Sequence, residues 1–528
     1  MEYTRRDALK VGLFGSAALA IPIERAARAS SALDNRMPAN KLPVPFTLPF
    51  RRSPVAVPFA TDGDEDRYRI PMKVTQLEVL PGFQTTCWTY NGILPGATIM
   101  VEQNRKTKVR FLNELPLKHP TLGFTPWTSV HLHGSPSLPQ FDGYASDITF
   151  PGQYKDYHYP NTHDATTHWY HDHGVHHTAE NITMGLAGQY HVHDDRERSL
   201  PIPHGEFDVA ITYADRMFDK TGEFLFTSNG QSGEFGDVIL VNGVPWPLMQ
   251  VKRRKYRFRL LNGSVSRAYN LSLSNGDPFT VIATDGGLVP TPQVVKSMRH
   301  IMAERYEIVI DFAKYNPGTR IVLQNRNPKN NIAFANIDKI MMFEVTDDAF
   351  DPTDNEIPAQ LFPENQTMNL DPSQSVRTRR MELKRRHGLW TVNGRTWDDV
   401  VASGFTLLEA RPQKDSVEIW ELVNDSGGWQ HPMHMHLIDF KILDRNGKPP
   451  FAYERGPKDT AFLGENETVR AIVQFFEGTG KYMMHCHNLV HEDHDMMVQY
   501  EVVDPNNAGI DPLSFPPKNN ADEGGDPL

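Results

Sequence analysis

The chain has only two cysteines among 528 residues, Cys87 and Cys486, so no disulfide framework can hold it together. It also lacks an excess of positive charge: 54 Lys and Arg against 65 Asp and Glu leave a net charge of −11. That balance excludes binding a phosphate backbone by charge, because non-specific nucleic-acid affinity depends on Lys and Arg displacing counterions. A membrane-crossing helix needs about 18 or more uninterrupted apolar residues, and no segment supplies them. With 39% hydrophobic residues, what remains is a soluble globular class, and the length fits about three domains of about 100–200 residues each. Against these shortages stands one surplus, 22 histidines.

The first residues read as an export signal. Arg5-Arg6 opens a basic segment, a weakly apolar stretch follows at 11–23, and Ala27-Arg28-Ala29 has the form of a cleavage site. The run Thr4-Arg5-Arg6-Asp7-Ala8-Leu9-Lys10 resembles a twin-arginine signal, with Ala8 where that signal usually has Phe. Residues 1–29 are therefore expected to direct export of a folded protein to the periplasm, cell surface or medium.

An Asn-Gly turn recurs at Asn91-Gly92, Asn242-Gly243 and Asn393-Gly394, and both intervals are 151 residues. Each copy is followed by a strand-like run closed by another Asn, at Asn113, Asn262 and Asn424. Equal spacing with matching sequels predicts an internal triplication. Short alternating stretches between Gly, Pro, Asn and Asp predict an all-β protein of three consecutive Greek-key β-sandwich or barrel domains. Their bounds are set at 44–195, 206–347 and 376–504, with a flexible tail at 505–528 rich in Pro, Asn, Gly and acid. Twelve histidines fall in the first domain, eight in the third and only His300 in the second. A function shared by the outer domains is implied.

Four clusters carry the chemistry: His131-Leu132-His133, His171-Asp172-His173, His431-Pro432-Met433-His434-Met435-His436, and His485-Cys486-His487 followed by His491 and Met496. In a strand, side chains alternate faces, so each His-x-His pair points to one side. Cys486 then faces away from His485 and His487, and one strand can touch two metal sites. A thiolate with two imidazoles and a thioether is a blue-copper ligand set, and His431, on the opposite face from His434, supplies the second imidazole. Zinc fits poorly, because one thiolate and some ten imidazoles exceed a tetrahedral site.

These motifs resemble those of the multicopper oxidases, and the stretch from Tyr482 to Met497 is particularly similar to bilirubin oxidases and bacterial spore-coat laccases. The resemblance spans about 44–504 and implies three cupredoxin-like domains. It further implies four copper ions. A type 1 copper would be held by His431, Cys486 and His491 with Met496 as weak axial ligand, and a type 2 copper by His131 and His434. A type 3 pair would be held by His133, His171 and His487 on one ion and His173, His436 and His485 on the other. Single electrons from a phenol, aromatic amine or tetrapyrrole would enter at type 1, and O2 would be reduced to water at the trinuclear cluster. Asp142 and Glu492 match the family's acidic positions and are candidate proton carriers. The middle domain is expected to act as spacer and substrate-side wall. Two other readings stay open: a metallo-oxidase acting on Cu(I), Mn(II) or Fe(II), and a non-enzymatic envelope scaffold. Trp429, two residues before His431, either lines the electron-entry site or fills a loop.

Overall fold

Strands take 43% of the chain and helices 9%, as expected where β-branched and aromatic residues alternate with polar ones between turn formers. The structure is a computed structural model that describes residues 34–227, 232–326, 331–348, 350–524 and 528. The expected export signal at 1–29 lies outside the described residues.

Six sheets fall into three sandwiches, one pair per repeat. In each, the first long strand pairs in parallel with the strand that ends in the closing asparagine. Glu65–Leu77 pairs with Lys106–Asn113, Asp208–Arg216 with Lys255–Asn262, and Arg377–Arg386 with Val417–Asn424. The turns adopt the left-handed conformation at both residues, with φ of 55° and 80° at Asn91-Gly92, 48° and 77° at Asn242-Gly243, and 53° and 74° at Asn393-Gly394. Asn and Gly tolerate that region best.

The closing asparagines explain why the repeats end alike. Each is buried and accepts, at Oδ1, the backbone N–H two residues on: Leu115, Ser264 and Ser426. Each also donates through Nδ2 to two carbonyls, of Pro126 and Thr149, of Arg267 and His300, and of Trp429 and Gly464. One side chain thereby satisfies the loop that leaves the strand.

The last residues touch the first sandwich at two places. Lys518–Asn519 adds to the first sandwich beside Gln153–Tyr159, and the Phe515 ring packs on Phe141 at 5.2 Å. Backbone pairing and one aromatic anchor outweigh the polar composition of this segment.

The four-stranded sheets of the first and third units face each other across the histidines. Val130–His133 pairs with Thr166–Asp172 in the first, and His431–Met435 with Gly480–Cys486 in the third. Among the described residues, no helix is long and apolar enough to cross a membrane.

Candidate metal centres

Strand register brings the histidines together. His131 lies opposite His171, and His434 lies opposite His485, while Met433 opposes Cys486. The period of two sends His485 and His487 into a cage between the units, and Cys486 to the other side of its sheet.

On that other side, three ligand atoms form a triangle. His431 Nδ1 lies 3.2 Å from Cys486 Sγ, Cys486 Sγ lies 3.6 Å from His491 Nδ1, and the two imidazole nitrogens are 3.2 Å apart. All three residues are fully buried, as is Met496, whose carbonyl accepts the Cys486 N–H at 3.1 Å. The second nitrogens fix the tautomers. The Ser426 hydroxyl donates to Asn424 Oδ1 at 2.6 Å, so its oxygen accepts from His431 Nε2 at 2.8 Å. His491 Nε2 donates to the Ser232 carbonyl of the middle unit at 3.2 Å. Both Nδ1 atoms are thereby left with lone pairs facing the sulfur. Burial pushes the Cys486 thiol up and the His431 imidazole down to about 3. A free thiol here keeps its proton, and a thiolate requires a cation in the triangle.

The cage holds the other eight histidines. Ring pairs cross the interface: His131 stacks on His436 at 3.9 Å, His133 on His434 at 3.7 Å, and His173 meets His485 edge-on at 4.7 Å. His487 completes the set 5.2 Å from both His133 and His171. Outer nitrogens are held from behind. His131 Nδ1 donates to the Asp142 carbonyl at 2.6 Å, His171 Nδ1 to that of Asp172 at 2.7 Å, and His434 Nδ1 to that of Asp459 at 3.0 Å. Inner nitrogens point at one another. The His485 Nε2 lies 3.1 Å from His173 Nε2 and 3.2 Å from His436 Nε2. Among the described residues, His131 Nε2, His133 Nδ1, His171 Nε2, His434 Nε2 and both His487 nitrogens have no hydrogen-bond partner. Burial and mutual repulsion hold His133, His171, His173, His434, His436 and His487 well below the ordinary imidazole value. Neutral rings with orphaned inward lone pairs are a donor set for late first-row metals, and the triangle adds a soft sulfur, so the residues fit copper at both places.

Two carboxylates border the cage. Asp142 Oδ2 lies 2.8 Å from His436 Nδ1, and burial raises its pKa. Glu492 Oε2 lies 2.9 Å from His485 Nδ1, and its Oε1 3.6 Å from His173 Nε2. Three of the remaining histidines are held away from the cage. His300 is enclosed between Tyr213 and the Glu304 carbonyl, His177 stacks on Phe124, and His494 donates to the Val490 carbonyl. Cys87 is a buried thiol pushed up to about 12. Trp429 stands edge-on to His491 at 6.0 Å and to Trp390 at 5.5 Å.

Sequence reasoning missed Trp390, which stacks on His491 at 4.0 Å, and Asp459, which carries the outer nitrogens of two cage histidines. Neither sits in a histidine motif. Only the placement of Asp459 just before Thr460–Leu463, the strand paired with His431–Met435, could have hinted at it.

Three sandwiches, with a cysteine–histidine triangle and a histidine cage served by one strand, define a copper protein built for electron transfer between two centres. Models of multicopper oxidase domains match residues 72–197, 214–343 and 365–506, and the chain belongs to the multicopper oxidase family. It is 39% identical to a bilirubin oxidase of Albifimbria verrucaria, over 92% of this chain and 87% of that protein. It is 32% identical to a laccase of Bacillus subtilis, over 88% and 98%. Among solved structures, the McoA multicopper oxidase of Aquifex aeolicus superposes with a TM-score of 0.77 at 29% identity, covering 87% of this chain and all of that one. The protein is thus a copper-dependent oxidoreductase of the laccase and bilirubin-oxidase type.

Proposed function

We propose that the chain holds four copper ions. The type 1 ion would be held by His431, Cys486, His491 and Met496, and the type 2 ion by His131 and His434. The type 3 pair would be held by His133, His171 and His487 on one ion and His173, His436 and His485 on the other. The reading is carried by the triangle of Cys486 Sγ with His431 and His491 Nδ1, on the strand whose next residues face the cage.

Bound copper supplies one-electron acceptance at the triangle and reduction of O2 to water at the cage. The chain's own part is to orient, connect and move protons. Ser426 and the Ser232 carbonyl fix the His431 and His491 tautomers. Cys486 is bonded through its backbone to His485 and His487, which gives a short covalent path from Sγ to rings on both sides of the cage. Asp142 Oδ2 beside His436 Nδ1 and Glu492 Oε2 beside His485 Nδ1 hold and pass protons at the cage edge. Burial raises the Asp142 pKa and brings it nearer the range in which a carboxyl exchanges protons near neutral pH.

The reductant is a small aromatic or tetrapyrrole molecule. Similarity to proteins named bilirubin oxidase and laccase supports this, as do the two indoles, Trp390 and Trp429, beside the His491 ring. The twin-arginine-like start at Arg5-Arg6 supports export of the folded, metal-loaded protein. O2 uptake by the copper-loaded protein with a phenol, an o-aminophenol, bilirubin and Mn(II) tests the reading. Turnover of the organic reductants above Mn(II) is expected, and Mn(II) as the fastest reductant would replace it with a metallo-oxidase.

A further inference from the structure

The middle unit carries no cage histidine, yet it reaches the cage through one arginine. We propose that Arg305 and Asp285 of this unit clamp Asp459, and that Asp459 is a positioning residue that sets the rings of His133 and His434. The proposal rests on the copper reading above.

Arg305 is fully buried and grips Asp459 with both arms, Nη1 to Oδ1 at 2.9 Å and Nη2 to Oδ2 at 2.5 Å. Its remaining donors are satisfied by the carbonyls of Thr167, Ala303 and Asp285. Asp285 works from the other side: its Oδ2 accepts the backbone N–H of Asp459 and of Thr460, each at 3.2 Å, and Lys458 Nζ at 2.9 Å. Its Oδ1 accepts the Arg305 N–H at 2.7 Å. Both the side chain and the backbone of Asp459 are therefore fixed by the middle unit.

Asp459 has two outputs. Its Oδ1 accepts from His133 Nε2 at 3.0 Å, and its carbonyl accepts from His434 Nδ1 at 3.0 Å. These are the two rings stacked at 3.7 Å across the interface, one from each outer unit. Holding a proton on His133 Nε2 and on His434 Nδ1 leaves His133 Nδ1 and His434 Nε2 as acceptor lone pairs, the atoms without partners among the described residues. The sequence makes room for the clamp. At Gly134, directly after His133, a Cβ would lie 2.7 Å from Arg305 Nη2 and 2.9 Å from Asp459 Oδ2, so only glycine lets the ion pair close behind the ring.

The test uses the copper-loaded full chain with Asp459→Ala, Asp459→Asn and Arg305→Lys. Removing such an outer partner of a metal ligand costs about 10–100-fold in metal affinity. Asp459→Ala is expected to weaken type 2 and type 3 copper by that factor and to alter the type 2 EPR signal, while the blue type 1 band keeps its intensity. Asp459→Asn retains an oxygen for His133 Nε2 and is expected to restore most of the cage copper, although it lacks the charge that pairs with Arg305. Arg305→Lys, which cannot grip both oxygens, is expected to fall between them. Full cage occupancy with an unchanged EPR signal in Asp459→Ala would overturn the proposal. So would equal loss in the Ala and Asn variants, or parallel loss of the blue band and of thermal stability, since each marks a role in charge pairing or folding alone. Failure of the copper reading itself would be seen in the unmodified protein, as absence of the blue band and of cage copper.

Discussion

The outer and middle units share one frame and fill it with opposite chemistry. All three have the left-handed Asn-Gly turn, the parallel strand pair and the closing asparagine. At their buried polar positions, however, the outer units gather imidazoles and the middle unit gathers guanidiniums: of the six fully buried arginines among the described residues, Arg254, Arg257, Arg259, Arg267 and Arg305 belong to the middle unit and Arg110 alone to the first. Burial treats the two groups differently. An imidazole answers desolvation by losing its proton and offering a lone pair, as the lowered values in the cage show. A guanidinium cannot, so each brings carboxylates with it, such as Glu197, Glu307 and Asp208 around Arg257 and Arg259. One choice yields metal sites and the other yields clamps between units.

This contrast can be broken at several points. The largest effect belongs to Cys486→Ser, which is expected to remove the blue colour and all turnover while the thermal transition persists; a variant that stays blue and active refutes the thiolate assignment. In the middle unit, Arg257→Ala leaves Arg259 to balance the three carboxylates Glu197, Asp208 and Glu307, and the uncompensated negative charge is expected to cost about 3–5 kcal/mol of stability, read by denaturant unfolding, with the visible spectrum of the folded fraction unchanged. At the cage edge, Asp142→Asn is expected to slow O2 reduction by about 100-fold with copper content retained; equal loss of copper would make Asp142 a structural prop.

The smallest effect is a pH dependence at the boundary of the first and third units. Burial alone would lower the pKa of His163, but the Asp439 carboxylate 2.9 Å away raises it to about 9. The folded state therefore binds this proton more tightly than the unfolded chain. Its stabilisation is full below about 6.5, the ordinary imidazole value, and is lost as pH rises through about 9. The Tm difference between the wild type and His163→Gln should shrink over that window, and a constant difference would contradict the ion pair.

Much of this was legible in the sequence because strand periodicity is local. The separation of Cys486 from its flanking histidines, and of His431 from His434, follows from alternation alone, and the 151-residue interval marks the repeats. The clamp was not legible. Arg305 and Asp459 are 154 residues apart, and each looks like an ordinary strand or loop residue until the three units close on one another. Trp390 was hidden for the same reason: its contact with His491 joins a hairpin to a short helix distant in sequence. The pairing of Lys518–Asn519 with the first sandwich was not legible either, because composition speaks to solvation and not to backbone pairing.

On the copper reading, the outer units, joined by the strand carrying Cys486, hold one copper at a thiolate and three in a histidine cage. Metal analysis of the copper-loaded protein, combined with EPR, tests it most directly. Four coppers per chain are predicted, with distinct type 1 and type 2 signals and a coupled, silent pair. One copper per chain, or zinc retained in the cage, would contradict it.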